Sequence, residues 1–263
     1  MVTAREHGVG TLALTDHDTT AGLDEAFAEG RRIHVDVIPG VEINTDVDEY
    51  EVHILGYFVD HTRADFQAFL ARMRAGRVDR ARTMVDRLRA LEVPIEWDRV
   101  QAIAAGASIG RPHIARALLE ARRVATVQEA FERFLGRHAP AYVPRPKVSP
   151  EEAVEAVAAA GGVPVLAHPG WASSGPAIDR VPQLVAHGLG GLEVYYPDHT
   201  AEMIARYLEV ARRHGLVATG GTDFHGGGFA TRVPPGSVSV PEDVVPALRA
   251  RWEDGAAARR PAQ

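Results

Sequence analysis

Five short apolar segments of this chain each carry, or end in, a histidine or an acidic residue. The first runs from Thr11 to Leu14 and stops at Asp16-His17-Asp18, and two later segments stop at His168 and at Asp223-Phe224-His225. A strand buried in a parallel sheet reads as a continuous apolar run, and α/β folds place their polar chemistry at the carboxyl ends of such strands. The pattern therefore predicts an α/β fold in which six side chains meet on one rim: His17, Glu42, His53, His168, Asp223 and His225.

Imidazole and carboxylate groups in this combination are typical ligands of divalent metal ions. The chain has no cysteine, so a thiolate site and a disulfide framework are both excluded, and any metal must be held by nitrogen and oxygen atoms. A single histidine at the end of an apolar run is more often a buried structural residue than a ligand. The prediction of a metal site therefore rests on the convergence of all six residues, not on any one of them.

Composition excludes several classes of protein. A chain of 263 residues with 46% hydrophobic and 24% charged residues is long enough for one sizeable core, or for a core with a small inserted domain. The net charge of −6 gives no electrostatic basis for coating nucleic acid or an anionic membrane. No apolar run approaches the ~18 residues of a membrane span, and no signal-peptide pattern opens the chain. We expect a cytoplasmic protein, and the sequence does not fix its oligomeric state.

Most of the chain alternates between apolar runs and helical patterns, but one tract does not. From Asp65 to Leu135 the pattern is helical throughout, with no strand signal, and this tract predicts a small helical subdomain inserted into the α/β fold. The alternation of apolar runs with helical patterns resumes at Ser149-Pro-Glu-Glu152, where serine is the expected helix cap and proline the first helical residue. The predicted domains are residues 1–76, the insertion 77–140, and residues 141–263.

Several local predictions complete the outline of the fold. Thr19 or Thr20 is expected to cap a helix that runs to about Arg32. Ser237–Val240 is predicted as a last strand, followed by a closing helix from Pro241 to Trp252 and a disordered tail from Glu253. Four histidines lie in loops or at helix starts and are expected at the surface: His34, His61, His138 and His199.

Three His-Gly pairs, each placed just before an apolar run, indicate helix ends. They are His7-Gly8, His187-Gly188 and His214-Gly215. Histidine is favourable at the negative end of the helix dipole, and glycine readily adopts the left-handed conformation that ends a helix. The chain is therefore expected to open in the last turns of a crossover helix, and the strand that should precede this helix is missing from the sequence.

Six motifs give the chain a resemblance to a known family. They are Leu-Thr-Asp-His-Asp-Thr at 14–19, Pro-Gly-Val-Glu-Ile at 39–43, His-Ile-Leu-Gly-Tyr at 53–57, Gly-Arg-Pro-His at 110–113, Ala-His-Pro at 167–169 and Thr-Asp-Phe-His at 222–225. In this order they resemble the PHP (polymerase and histidinol phosphatase) superfamily, specifically its TrpH/YciV-like phosphoesterases, over nearly the whole chain. The resemblance implies a distorted (β/α)7 barrel that holds up to three Mn, Fe, Zn or Mg ions.

The same resemblance implies an activity and a class of substrate. Family members remove the 3′-phosphate from nucleoside 3′,5′-bisphosphates, and some trim short RNA in the 5′-to-3′ direction. We therefore expect a phosphatase or exonuclease that acts on a small nucleotide or a short oligonucleotide, with neither duplex nucleic acid nor a membrane as a partner. Sequence alone leaves open the choice between mononucleotide and oligonucleotide, and the identity of the metal.

Residue roles follow from the resemblance, position by position. Glu42 should bridge two metal ions, and His53 and His168 should complete one of the two sites. Asp223 belongs to the second ion, and His17 with His225 to the third. Glu42, His168 and His225 are the expected catalytic residues. A further hypothesis is that His225 or His17 donates a proton to the leaving oxygen.

Two residues of the helical tract are implied in substrate binding. By the resemblance, Arg111 and His113 should clamp a substrate phosphate, while the simpler interpretation of Gly110-Arg-Pro-His is a helix start with proline in the first turn. Arg145 and Lys147 are weaker phosphate-binding candidates. Asp16 and Asp18 either orient His17 or cap the following helix.

The chain departs from the family pattern at its beginning. Family members open with a strand that ends in His-x-His followed by an aspartate, and these three ligands are missing from the sequence. We therefore expect one complete metal site, at Glu42, His53 and His168, weak or absent occupancy of the other two, and reduced activity. The alternatives are a degenerate scaffold that binds nucleotide or phosphate without catalysis, and a metal amidohydrolase on a similar barrel.

Overall fold

The computed structural model describes residues 1–47, 50–106, 108–144, 148–171, 174–226 and 233–258. The chain divides into two compact units. One consists of Met1–Gln67 with Lys147–Gln263, and the other of Ala68–Pro146. We call them the sheet unit and the helical unit. The bounds of 77–140 for an inserted domain stay a prediction.

Six strands and ten α-helices make up the described chain. The strands are β1 Thr11–Leu14, β2 Asp36–Val47, β3 Tyr50–Tyr57, β4 Val163–Leu166, β5 Gly191–Tyr195 and β6 Val217–Gly220. The helices are α1 Val2–Glu6, α2 Leu23–Ile33, α3 Ala64–Ala90, α4 Trp97–Ala104, α5 Arg111–Glu120, α6 Val127–Ala130, α7 Pro150–Ala159, α8 Val181–Ala186, α9 Ala201–His214 and α10 Val244–Ala258.

The strands form one curled sheet in the order β1-β2-β3-β4-β5-β6, the wall of a half-barrel. Pairing is parallel between β1 and β2, between β4 and β5 and between β5 and β6. β3 is antiparallel to both of its neighbours, a departure from the parallel geometry on which the predicted rim of side chains was based. An eight-residue ladder joins β2 to β3 as a hairpin, from Gly40 opposite Tyr57 to Val47 opposite Tyr50. The mixed α/β class is confirmed, and a complete (β/α)7 barrel stays a prediction.

Local capping signals account for the ends of several helices. Ser149 accepts a hydrogen bond from the Glu152 amide at 3.1 Å, so α7 begins where the sequence predicts. The glycines after His7, His187 and His214 all have positive φ, at 77°, 108° and 62°. These three helix ends are confirmed, and the described chain indeed opens in a short helix, α1.

Three local predictions were wrong. Ser237–Val240 is not a strand, and the prolines at 234, 235 and 241 bracket it with residues that cannot donate to a ladder. The last helix, α10, begins at Val244 and continues to Ala258, so the expected disorder does not begin at Glu253, and residues 259–263 lie outside the described chain. α2 begins at Leu23 with Gly22 as its cap, while Thr20 is buried and accepts a hydrogen bond from Gln67.

Each unit has an apolar interior of its own. In the sheet unit, Ile54, Leu166 and Leu192 are fully buried on adjacent strands. In the helical unit, one cluster joins α3, α5 and the segment before Gly136, with its centre at Met84, Leu88, Ile114, Leu118 and Leu135. Among the described residues, no helix is both long enough and apolar enough to cross a lipid bilayer.

Candidate metal centre

Glu42, His53 and His168 form a buried cluster in the sheet unit. Glu42 Oε1 lies 2.6 Å from His53 Nδ1 and 3.3 Å from His168 Nε2. The three residues are 4%, 4% and 2% exposed. One ligand atom from each can be chosen so that all three lie within 4.8 Å of one another. This spacing allows a single cation to contact all three side chains.

The strand register explains why these residues meet. Glu42 and His53 lie within the β2–β3 hairpin, where Glu42 is opposite Leu55 and Asn44 is opposite His53. His168 follows β4, and the amide of Ala167 donates to the carbonyl of His53 at 3.0 Å. The expectation that Glu42 and His53 end their strands was wrong, because both strands continue past these residues as a hairpin.

The cluster balances a buried negative charge with imidazole groups. Burial alone would raise the pKa of Glu42, but the charge of His17 and hydrogen bonds from His168 and His53 lower it well below its usual range. Burial opposes protonation of His168, yet the hydrogen bond and the charge of Glu42 raise the pKa of this histidine to about 9. A carboxylate held in this way attracts protons or a cation, and a divalent ion can take the place of the protons.

His17, Asp223 and His225 adjoin the buried cluster. His17 follows β1 and directs Nδ1 toward Glu42 Oε2 at 3.6 Å. Its Nε2 lies 3.2 Å from Nε2 of His225. His225 Nδ1 donates to the carbonyl of Asp223 at 2.7 Å, and this hydrogen bond orients the ring so that Nε2 faces His17. The hydroxyl of Tyr196 donates to Asp223 Oδ2 at 3.2 Å.

Both aspartates beside His17 extend the pairing between β1 and β2. The Glu42 amide donates to the carbonyl of Asp16 at 3.2 Å, and the Asp18 amide donates to the carbonyl of Glu42 at 2.9 Å. Asp18 is fully buried, and its Oδ1 accepts from the Asn44 amide at 3.2 Å. Neither aspartate caps α2, which begins five residues after Asp18. These hydrogen bonds fix the backbone on both sides of His17. The positions of the two aspartates therefore agree with the interpretation that they orient His17.

Two buried polar residues of the site were not singled out from the sequence. Asn44 is 4% exposed, and its side-chain nitrogen lies 2.6 Å from His53 Nε2, on the side of the ring opposite Glu42. Glu193, on β5, is 4% exposed, and its Oε2 accepts a hydrogen bond from the backbone amide of His168 at 2.7 Å. Asn44 is two residues from Glu42 and therefore faces the same side of β2, a periodicity signal that could have identified it.

Glu193 supports an unusual backbone conformation. His168 has φ of +20°, outside the ordinary range of residues with a side chain. The hydrogen bond from its amide to Glu193 holds the residue in this conformation and so aims the imidazole at Glu42. Burial raises the pKa of Glu193 to about 7, although the charge and amide of His168 oppose the shift.

In the metal-free protein, Glu193→Gln should remove a pH dependence of stability. The folded state keeps the carboxyl protonated up to about pH 7, whereas the unfolded chain releases this proton near its usual value of 4.5. Wild-type stability should therefore fall, relative to the variant, as the pH rises through this window, by about 3 kcal/mol. Urea unfolding with chelator at several pH values measures the difference, and parallel curves for the two proteins would contradict the prediction.

His199 lies inside the fold, so the expectation of a surface position was wrong. It is 7% exposed, its Nδ1 donates to the carbonyl of Val194 at 2.8 Å, and its Nε2 accepts from the Gly170 amide at 3.3 Å. One ring nitrogen donates and the other accepts, so the neutral imidazole fits both partners. Burial lowers the pKa of His199, which agrees with this assignment. His34 and His138 are exposed as expected, and the side chain of His61 is 26% exposed.

Arg111 and His113 belong to the helical unit. α5 begins at Arg111 with Pro112 in its first turn, so the simpler interpretation of this motif as a helix start is confirmed. His113 Nδ1 accepts from the Gly110 amide at 3.0 Å and closes the start of the helix. Burial, with a smaller effect of Arg77, lowers the pKa of His113. Arg145 and Lys147 lie outside the described residues.

Arginine side chains surround one aromatic ring of the helical unit. The guanidinium carbons of Arg80, Arg111 and Arg137 lie 5.4, 5.8 and 5.8 Å from the centre of the Tyr142 ring. Arg111 also lies 5.7 Å from the centre of the Phe131 ring. Guanidinium groups are the donors that recognise phosphate most often in proteins, so this group has the chemistry of a phosphate-binding site.

The residues of the sheet unit fit divalent ions. Glu42, His53 and His168 supply one carboxylate and two imidazoles at the required spacing, and Nδ1 of His168 is buried without a hydrogen-bond partner. Asp223, His17 and His225 add one carboxylate and two imidazoles beside them. Nitrogen and oxygen donors of this kind suit several divalent ions, so the donor set supports metal binding without selecting an ion.

Known proteins resemble the chain over most of its length. No protein-family model matches the sequence. The chain is 35% identical over 226 residues to the 5′-3′ exoribonuclease Rnm of Salmonella typhimurium, a match that covers 84% of this chain and 77% of the relative. It is 35% identical over 246 residues to a 3′,5′-nucleoside bisphosphate phosphatase of Chromobacterium violaceum, covering 92% and 85%. A solved structure from Bifidobacterium adolescentis, assigned as a metal-dependent phosphoesterase, matches with a TM-score of 0.87 at 36% identity, covering 95% and 88%.

Proposed function

Because this chain belongs to the phosphoesterase family that includes the Rnm exoribonuclease and the nucleoside bisphosphate phosphatase, we propose that it hydrolyses phosphate esters of nucleotides or short RNA. We place it within the PHP superfamily. The observation that carries the proposal is the buried cluster of Glu42, His53 and His168, whose polar atoms lie within 4.8 Å of one another. Burying a carboxylate among imidazoles is costly unless a cation or protons balance the charge, so the cluster is suited to metal-assisted chemistry.

In the proposed mechanism, each residue has a defined task. Divalent ions held by these residues would supply Lewis-acid chemistry, namely a more acidic water and compensation of charge on the phosphoryl oxygens. Glu42 would be shared between two ions, with His53 and His168 on the first and Asp223 on the second. His17 Nε2 and His225 Nε2 lie 3.2 Å apart, and a proton held between them can pass to the leaving oxygen when no third ion is bound.

The arginines around Tyr142 are the proposed phosphate-binding group of the helical unit. Arg111 and His113 would contact a phosphate of the substrate, Arg111 through its planar pair of donors and His113 from the first turn of α5. Arginine on an aromatic ring keeps its orientation, which favours the paired hydrogen bonds of a phosphate.

Arg111→Ala is expected to raise KM for a nucleoside bisphosphate by about 10- to 100-fold, because a charge-assisted pair of hydrogen bonds contributes about 1.5 to 3 kcal/mol. Arg111→Lys should recover only part of the loss, because lysine keeps the charge without the planar donors. Arg123→Ala removes an exposed arginine from the same unit and serves as the matched control. An unchanged KM for Arg111→Ala would argue that the arginine group has only a structural role.

A substrate panel tests the proposed function. The purified chain, supplied with Mn²⁺, should release phosphate from adenosine 3′,5′-bisphosphate or shorten 5′-phosphorylated oligoribonucleotides, and should leave amide substrates intact. Binding of nucleotide without hydrolysis would favour a non-catalytic scaffold. Cleavage of amides in place of esters would favour an amidohydrolase. Either result would overturn the proposal.

Ion occupancy is a separate part of the proposal. Among the described residues, Glu42, His53 and His168 supply three ligands to one site, whereas the proposed assignment gives each of the other two sites two residues: Glu42 with Asp223, and His17 with His225. We propose that the chain holds about one ion tightly and the others weakly, and that manganese is among the ions that support activity. Elemental analysis after dialysis measures the number.

A further inference from the structure

Trp171 is an exposed indole beside two of the proposed metal ligands. Trp171 follows His168 in a tight turn, where the Trp171 amide donates to the His168 carbonyl at 3.0 Å. Its ring centre lies 5.0 Å from that of His168 and 5.8 Å from that of His53, at interplanar angles of 76° and 63°. Although it touches two buried rings, Trp171 remains 39% exposed.

The turn that carries Trp171 is fixed by its surroundings. The Gly170 amide donates to Nε2 of the buried His199 at 3.3 Å. A Cβ atom on Gly170 would lie 2.3 Å from Met203 Cε and 2.7 Å from His199 Cδ2, so no larger residue fits here. The close fit at Gly170 restricts the backbone of the turn, and ring contacts with His168 and His53 position the indole. A positioned ring loses little freedom when a ligand covers it.

The position of the indole, and not its exposure alone, is informative. A single exposed apolar side chain is ordinary, but an aromatic face beside a few convergent polar groups is typical of a ligand site. Leu208, another exposed apolar side chain, lies on the surface of α9, whereas Trp171 is in ring contact with two members of the metal cluster. A substrate whose phosphate reached Glu42 and His168 would bring the rest of the molecule close to the indole.

We propose that the exposed part of Trp171 stacks against the base of the nucleotide substrate. This inference rests on the proposed function and names the part of the substrate that the site recognises beyond its phosphate. Every nucleobase has an aromatic face, so stacking selects for a base without selecting which base. An aromatic platform next to the metal ligands thus favours nucleotides over simple phosphate esters.

The test compares a substrate that carries a base with one that does not. Trp171→Ala and Trp171→Phe are assayed on adenosine 3′,5′-bisphosphate and on the same ribose bisphosphate without a base. For the nucleotide, Trp171→Ala should raise KM by about 5- to 100-fold with little change in kcat, because stacking contributes equally to ground and transition states. For the substrate without a base, KM should stay within about twofold, and Trp171→Phe should retain most of the affinity for the nucleotide.

Controls separate recognition from structure. Leu208→Ala removes an exposed apolar side chain on α9 and should leave both substrates unaffected. Metal content of each variant, measured by elemental analysis, should equal that of wild type. An equal loss on both substrates, loss of metal from Trp171→Ala, or an unchanged KM for the nucleotide would each overturn the proposal.

A binding measurement keeps this inference distinct from the proposed function. The chain has three tryptophans, and nucleotide should quench the fluorescence contributed by Trp171, so wild type should respond more than Trp171→Phe. If the chain hydrolyses no phosphate ester but shows this difference, the proposed function fails and the stacking site stands. If hydrolysis occurs and no difference in quenching is found, the stacking site fails and the proposed function stands.

Discussion

Replacement of Glu42 by glutamine is expected to lower kcat/KM for phosphate esters by at least about 1000-fold, the scale of losing a central electrostatic contribution to catalysis. Glu42 is the common neighbour of three imidazoles, with Oε1 2.6 Å from His53 Nδ1 and 3.3 Å from His168 Nε2, and Oε2 3.6 Å from His17 Nδ1. Glutamine keeps the volume of the side chain but removes its charge. It also has an NH2 group in place of one carboxylate oxygen, and this donor cannot bind a cation.

The measurement is steady-state hydrolysis of the best substrate together with metal analysis. Glu202→Gln, on the exposed face of α9, makes the same chemical change at a distance from the cluster and should behave as wild type. Circular dichroism and thermal unfolding of Glu42→Gln should show an intact fold, because the side chain keeps its size. A variant that retains both its metal and its hydrolysis rate would exclude Glu42 as a ligand.

Removal of metal is expected to reduce hydrolysis to the uncatalysed background and to lower stability. A ligand that binds only the folded chain stabilises it by about 2.7 kcal/mol when its free concentration is one hundred times Kd. Addition of Mn²⁺ to the metal-free chain should therefore restore activity and raise Tm. In Glu42→Gln the same addition should produce little change in Tm, because the shared carboxylate is lost.

The matched control is His225→Ala. This variant lacks a residue of the neighbouring group of His17, Asp223 and His225, and it leaves Glu42, His53 and His168 intact. This variant should keep most of the rise in Tm, since its exposed imidazole contributes little to the tightest site. Full activity in excess chelator would exclude metal-assisted hydrolysis, and an equal rise in Tm for Glu42→Gln would place the tight site elsewhere.

Much of the candidate site could be predicted because the sequence pattern has a simple physical cause. Apolar runs form buried strands, and a histidine or glutamate placed among them is conspicuous, as with Glu42, His53 and His168. The pattern did not reveal that β3 runs antiparallel to both neighbours, because direction depends on pairing between distant segments. The structure brings Glu42, His53 and His168 together, while the positions of Glu42 and His53 along their strands differ from the prediction.

Residues that act through others were harder to identify. Glu193 lies within an apolar run, Leu192 to Tyr196, where a glutamate reads as one polar residue of a half-exposed strand. Its role depends on the amide of His168, twenty-five residues earlier in the chain. His199 was assigned to the surface because it precedes a helix, and its burial depends on Gly170 and Val194. Long-range contacts of this kind leave no periodic signal in the sequence.

The hairpin β2–β3 has a consequence for the order in which the chain assembles. Glu42 and His53 are eleven residues apart and meet as soon as the hairpin forms, a local event that closes a short loop. Glu42 and His168 are 126 residues apart, so their contact must await a much larger loop closure. The helical unit lies between these two residues in the sequence and is compact by itself. Once it has folded, less flexible chain separates Glu42 from His168. We therefore expect the contact between Glu42 and His168 to form late in folding, so that ion affinity would report on assembly of the sheet unit.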